Sequence, residues 1–185
     1  MLFDNPKRWL VIAVLVLVLG AAWILVSKAP PGGTTGGGIP APHEGFLAPD
    51  FSLATASGST ITLSELRGRP LIINLWASWC TPCRAEMPAM ESVYNQYKDQ
   101  GFTILGVNVT SQDNPTKAAA FVEEMGLTFP ILYDAQGEAS RLYKSSALPT
   151  SFFVDKNGVI QRVVVGGPMS EALLRIRVEE LLEIE

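Results

Sequence analysis

The sequence predicts an α/β sandwich built on a mixed central sheet, fronted by a β-hairpin and preceded by one transmembrane helix. Three observations carry this reading. Strand-like and helix-like runs alternate from residue 71 onward and close on a hairpin signal at Asn157-Gly158. An uncharged apolar run occupies residues 9–26, and the only two cysteines, Cys80 and Cys83, stand three residues apart directly after the apolar run 71–76.

Residues 9–26 hold no charged side chain in 18 positions. As a helix they would span about 27 Å, close to the hydrocarbon thickness of a bilayer. Lys7 and Arg8 before the run, with Ser27-Lys28-Ala29 after it, also fit a cleaved secretory signal. Pro30 beyond that cut, the length of the run, and Trp9 and Trp23 as interfacial anchors favour an uncleaved span. Lys7 and Arg8 against Lys28 give a slight positive-inside bias, so residues 1–8 are expected as a short cytoplasmic tail and everything after Ser27 outside the membrane.

Residues 27–45 contain Pro30-Pro31-Gly32-Gly33, Gly36-Gly37-Gly38 and Pro40-Ala41-Pro42, and read as a tether that cannot bury a core. His43, the single histidine, reads as a solvated residue of that tether. Residues 46–185 then form the folded domain. Within it acidic residues outnumber basic ones by five (16 against 11), and no basic aromatic patch occurs, which argues against nucleic acid as a partner.

Residues 50–62, with apolar and β-branched side chains around Ser57-Gly58, suggest the leading hairpin. The nearly continuous apolar run 71–76 fits a central strand buried on both faces. The helix after it puts Met87, Met90, Tyr94 and Tyr97 on one face as core residues, and Pro88 inside it is expected to bend it. A strand at 102–109 precedes Asn114-Pro115, an N-cap followed by proline, with Phe121, Val122 and Met125 facing inward until Gly126 ends the helix. A short strand at 129–133, a brief helix near 138–143, a strand at 151–154, a hairpin partner at 159–165 and a closing helix from Ser170 complete the order.

A Cys-x-x-Cys pair at a strand-to-helix junction places the first sulfur where free backbone N–H groups and the helix dipole stabilise a thiolate. Cys80 is therefore the expected nucleophile and Cys83, almost one turn further in, the resolving thiol. A disulfide between them closes a very small ring, so it makes a weak staple and a good switch. A structural zinc site wants four ligands, and this chain offers two cysteines and one histidine. Two inert buried thiols are the other alternative, though a pair at one helix start next to a βαβ pattern speaks for redox chemistry.

Trp79-Cys80-Thr81-Pro82-Cys83, followed by Arg84-Ala85-Glu86-Met87-Pro88, the run 104–109 and Ala147-Leu148-Pro149-Thr150, together resemble thioredoxin-like proteins, and more narrowly the membrane-anchored TlpA/ResA type that includes cytochrome c maturation reductants. The resemblance covers residues 46–185. It implies a cis peptide bond before Pro149 in a turn that faces the cysteines, with the backbone of Leu148 free to bond an incoming chain; an ordinary trans proline is the alternative. Trp79, Thr81, Pro82, Leu148 and Pro149 are the implied substrate-facing positions. It also implies that Glu86 tunes the cysteines and exchanges protons with Cys83, against the alternative of a solvated glutamate near a helix start. Where thioredoxins carry a buried aspartate and its lysine partner, this chain has Asn74 and Gly106.

The expected activity is reduction of protein disulfides by a tethered, extracytoplasmic dithiol, with apocytochrome c among the implied substrates and a transmembrane thiol donor restoring the pair. No cofactor or metal is expected. An oxidant of the same fold depends on the reduction potential alone, and a thiol peroxidase lacks its Pro-x-x-x-Thr-x-x-Cys pattern before Cys80. A tethered binding module that docks without turnover is the alternative from another class.

Overall fold

The computed structural model describes residues 6–26 and 36–184, and the chain divides into two units, residues 1–33 and 34–185. The first unit is helix α1 (Pro6–Val26), 21 residues long, which exposes large apolar side chains including Trp9, Leu17 and Trp23. Counted over the described residues, no helix is long and apolar enough to cross a membrane. Most of the expected cytoplasmic tail, residues 1–5, and tether residues 27–35 lie outside the described residues.

The stretch read as tether up to residue 45 carries structure from Gly36 onward. Strands β1 (Gly36–Pro40) and β2 (Phe46–Leu47) pair in parallel, and the segment between them is bound to the domain. Gly45 N–H donates to the Ile160 carbonyl at 2.8 Å, and the Glu44 carboxylate accepts from Val163 N–H at 3.1 Å and from Arg162 at 3.4 Å. The physical reason is that Ile160 and Val163 lie on an edge strand, whose outward backbone groups need partners that proline- and glycine-rich chain can supply. His43 is exposed, as expected.

The leading hairpin is strands β3 (Ser52–Thr55) and β4 (Thr60–Thr62). Next come β5 (Leu71–Trp76), α2 (Thr81–Tyr97), β6 (Thr103–Asn108), α3 (Pro115–Glu124), β7 (Ile131–Tyr133), α4 (Glu138–Leu142), β8 (Thr150–Val154), β9 (Ile160–Val165) and α5 (Glu171–Glu183). The seven-stranded sheet runs β4-β3-β7-β6-β5-β8-β9. Strands β5, β6 and β7 are parallel and the other pairings antiparallel, so the sheet is mixed.

Every residue of β5 is buried, as a strand covered on both faces requires. Strand alternation sends Ile72, Asn74 and Trp76 to one face and Leu71, Ile73 and Leu75 to the other. The first face packs on Met87, Met90 and Val93 of α2, Phe121 of α3 and Leu174 and Val178 of α5. The second packs on Phe51, Leu63, Ala139, Tyr143 and Phe152. Trp76 stacks on Phe121 with centroids 4.9 Å apart, an aromatic pair worth about 0.5–1.5 kcal/mol beyond its buried area.

Helix α2 continues past Pro88, whose ring is exposed and whose missing N–H leaves the Arg84 carbonyl without its helical partner. Asn114 and Ser170 cap α3 and α5 through Lys117 N–H (3.1 Å) and Leu173 N–H (3.3 Å), where the sequence places those helix starts. In α3, Phe121 is buried and Val122 half-buried, as is Met125 at the C-cap.

Candidate active site

The end of β5 delivers Cys80 to the N-cap of α2, with Pro82 in the first turn where a missing N–H costs nothing. Cys80 and Cys83 are joined as a disulfide, and the Cys80 sulfur also accepts the Cys83 N–H at 3.2 Å. Helix geometry grades their access: Cys80 keeps 4 % of its surface and Cys83 none, while Thr81 is exposed and Pro82 half-buried. Next to them Trp79 is 59 % exposed, its indole N–H fixed to the Gln112 carbonyl at 3.0 Å. The sulfur that meets a substrate is thus the one at the helix N-terminus, where thiolate is favoured.

The Leu148-Pro149 peptide is cis. Pro149 is buried and Leu148 half-buried, and Leu148 shares a cleft of about 120 Å³ with Trp79, Val109, Gln112 and Ala147. Among the described residues the backbone N–H and carbonyl of Leu148 enter no hydrogen bond, whereas its neighbours' carbonyls accept from Thr150 Oγ1 and Gly166 N–H. An extended chain laid along the cleft meets an open donor and acceptor at Leu148.

Glu86 lies one turn beyond Cys83 and is completely buried. Its Oε1 accepts from Asn74 Nδ2 at 2.9 Å and its Oε2 from Met169 N–H at 3.2 Å, so it is not a solvated first-turn glutamate. Burial drives its pKa up, and the Met169 N–H and the Asn74 amide offset this only in part, leaving it above the ordinary 4.5. Asn74 also donates to Ser151 Oγ at 2.9 Å, while its own Oδ1 is buried without a partner, at a cost of about 1–3 kcal/mol. Asn74 pairs across the ladder with Gly106, where a Cβ would sit 2.8 Å from Ile131 Cδ1 and 2.8 Å from Phe129 Cε2. No lysine fits there, so Asn74 and Glu86 supply the polar groups under the thiols.

Four residues of the site escape sequence reasoning. Gly167 lies between Pro149 and Glu86: a Cβ on it would be 2.7 Å from Pro149 Cγ and 2.8 Å from Glu86 Oε2. The Gly166-Gly167-Pro168 run carries a signal for this close approach. Ser151 and Met169 N–H are brought in by the β8 and β9 side of the sheet. Asp113 binds the chain ahead of Cys80.

The Glu86 carboxyl makes stability depend on pH. Its folded pKa lies above its unfolded one, so the stability it contributes is complete below 4.5 and is lost as pH rises through the folded value. Urea midpoints of the wild type should therefore fall relative to Glu86→Gln as pH rises above 4.5. Parallel curves would contradict the buried carboxyl.

The AhpC/TSA family profile matches residues 45–163, which spans both cysteines, Glu86 and Pro149. The chain belongs to the AhpC/TSA family. This member is 39 % identical over 165 residues to the thioredoxin-like protein YneN of Bacillus subtilis, covering 86 % of this chain and 91 % of that one. It is 40 % identical over 131 residues to the thiol-disulfide oxidoreductase ResA of Geobacillus kaustophilus, covering 71 % and 74 %. Its fold matches a thiol:disulfide interchange protein of Chlorobium tepidum with a TM-score of 0.67 at 31 % identity, covering 74 % and 95 %. StoA of Bacillus subtilis matches with a TM-score of 0.62 at 29 % identity, covering 70 % of this chain and 96 % of that one. Fold, thiol pair and relatives agree: this AhpC/TSA protein is a thioredoxin-like thiol-disulfide oxidoreductase of the ResA, StoA and DsbE type. Ile73 and Ala77 stand where the peroxidase pattern needs proline and threonine before Cys80.

Proposed function

We propose that the protein is an extracytoplasmic, membrane-tethered reductant of protein disulfides. The Cys80 thiolate attacks one sulfur of a substrate disulfide, breaking that bond and releasing one substrate thiolate as a mixed disulfide forms. Cys83 then attacks the Cys80 sulfur, which closes the Cys80–Cys83 disulfide and releases the second thiolate. Two electrons have passed to the substrate. Glu86 takes the proton that Cys83 gives up, and a transmembrane thiol donor returns two electrons to the pair. Trp79, Thr81, Pro82, Leu148 and Pro149 form the docking face.

The observation that carries the reductant direction is the buried Glu86 carboxyl one helical turn from the fully buried Cys83. A buried carboxyl one turn from the thiols brings no positive charge to them, and in its ionised form opposes a second anion, which withholds the thiolate stabilisation that makes a strong oxidant. Two features support the tether. The 18 uncharged positions at 9–26 match a bilayer's hydrocarbon core, and α1 exposes Trp9, Leu17 and Trp23. Family resemblance suggests the cysteine pairs of apocytochrome c as substrates.

The equilibrium reduction potential of the Cys80–Cys83 pair tests the direction, and turnover of insulin disulfides separates a reductant from a module that docks without chemistry. The proton role of Glu86 predicts that Glu86→Gln shifts the pH curve of cysteine alkylation; an unchanged curve would rule it out.

A further inference from the structure

The chain that presents Cys80 does not hold itself in place. Residues 76–79 lie against the loop that follows β6, and one carboxylate does most of the holding. Asp113 Oδ2 accepts the Ser78 N–H at 2.6 Å and Asn108 Nδ2 at 2.8 Å; Oδ1 accepts the Ser78 hydroxyl at 2.6 Å and the Asn114 N–H at 2.8 Å. On either side of it, Val109 N–H donates to the Trp76 carbonyl at 2.9 Å and the Trp79 indole N–H to the Gln112 carbonyl at 3.0 Å. Burial pushes the Asp113 pKa up, but the donors from Ser78, Asn108 and Asn114 outweigh it and hold the group below the ordinary carboxylate value, so it stays charged at neutral pH.

What this strap fixes is a ridge. Trp79 projects between two clefts. One, about 120 Å³, is uncharged, lined by Val109, Gln112, Ser145 and Leu148. The other, about 350 Å³, is charged: beside Ser78 and Phe121 it holds Lys117 and the Arg84–Glu124 ion pair, 2.7 Å apart. A polypeptide whose disulfide reaches Cys80 must pass over this ridge, whereas a small disulfide need touch only the sulfur. We infer that Asp113 is a positioning residue that, through Ser78 and the loop ending at Gln112, sets the Trp79 ridge and so the preference for protein over small-molecule disulfides. The inference rests on the protein-disulfide reading of the site.

The test compares kcat/KM of the full-length chain for insulin and for a small aromatic disulfide. Asp113→Ala should lower the insulin-to-small-disulfide ratio about tenfold, with most of the change in the KM for insulin. Ser78→Ala removes only the hydroxyl bond, should lower the ratio about threefold, and stands in if the first variant does not fold. Combined, the two should lower it no further than Asp113→Ala alone, because both act through the same contact. An unchanged ratio, or equal losses on both substrates as a purely structural role would give, overturns the inference. If the wild type itself reduces no insulin, the reductant reading fails first, and a strap with no docking face to set fails with it.

Discussion

A Cys83→Ser variant should stop after one event, accumulating a mixed disulfide between Cys80 and its substrate while multiple turnover of insulin falls at least about a thousandfold. The structure assigns the roles by access. Cys80 sits at the N-cap with part of its surface open, and Cys83 is sealed beneath it. With Cys83 replaced, no sulfur is left within reach to attack the mixed disulfide, so the adduct persists. Cys80→Ser should show an equal loss of turnover and form no adduct, since a completely buried Cys83 cannot meet a protein disulfide. Mass spectrometry without reductant separates the two outcomes. An adduct on Cys83 in the Cys80→Ser variant would reverse the assigned roles.

The second large effect is expected at a residue with no chemistry of its own. Gly167→Ala puts a Cβ 2.7 Å from the Pro149 ring and 2.8 Å from Glu86 Oε2. The proline ring cannot give way as a flexible chain end would, and Glu86 is fixed by Asn74 and Met169 N–H. The docking turn and the buried carboxyl must therefore separate. Displacements of this size at a site cost about tenfold to a hundredfold in kcat/KM, whereas relief of the overpacking costs about 1–3 kcal/mol in stability. Gly167 is exposed, so the chain around it can adjust without unfolding the domain. Insulin turnover and urea unfolding of the same variant read the two effects separately, and wild-type turnover in a folded variant would contradict the close packing.

Much of this was legible in the residues. The run 71–76 is β5 without a residue's error because continuous apolarity leaves a strand one place to go, between two layers. Asn114 and Ser170 marked helix starts because a side-chain cap is a local event. The thiol pair and Glu86 were visible through spacing on one helix. What stayed hidden depends on chain distant in sequence. Nothing near Asp113 announces that it holds Ser78, 35 positions earlier. The edge of the sheet at Ile160 and Val163 recruits Gly45 and Glu44, which glycine and proline content alone reads as tether.

The central claim is that the pair donates electrons, and its equilibrium reduction potential tests that most directly. Titration of the full-length chain against a thiol-disulfide buffer at pH 7 should place the Cys80–Cys83 couple at or below about −250 mV, in the range of thioredoxin-like reductants. A value above about −150 mV, in the range of strong periplasmic oxidants, would contradict the account and make the protein a donor of disulfides.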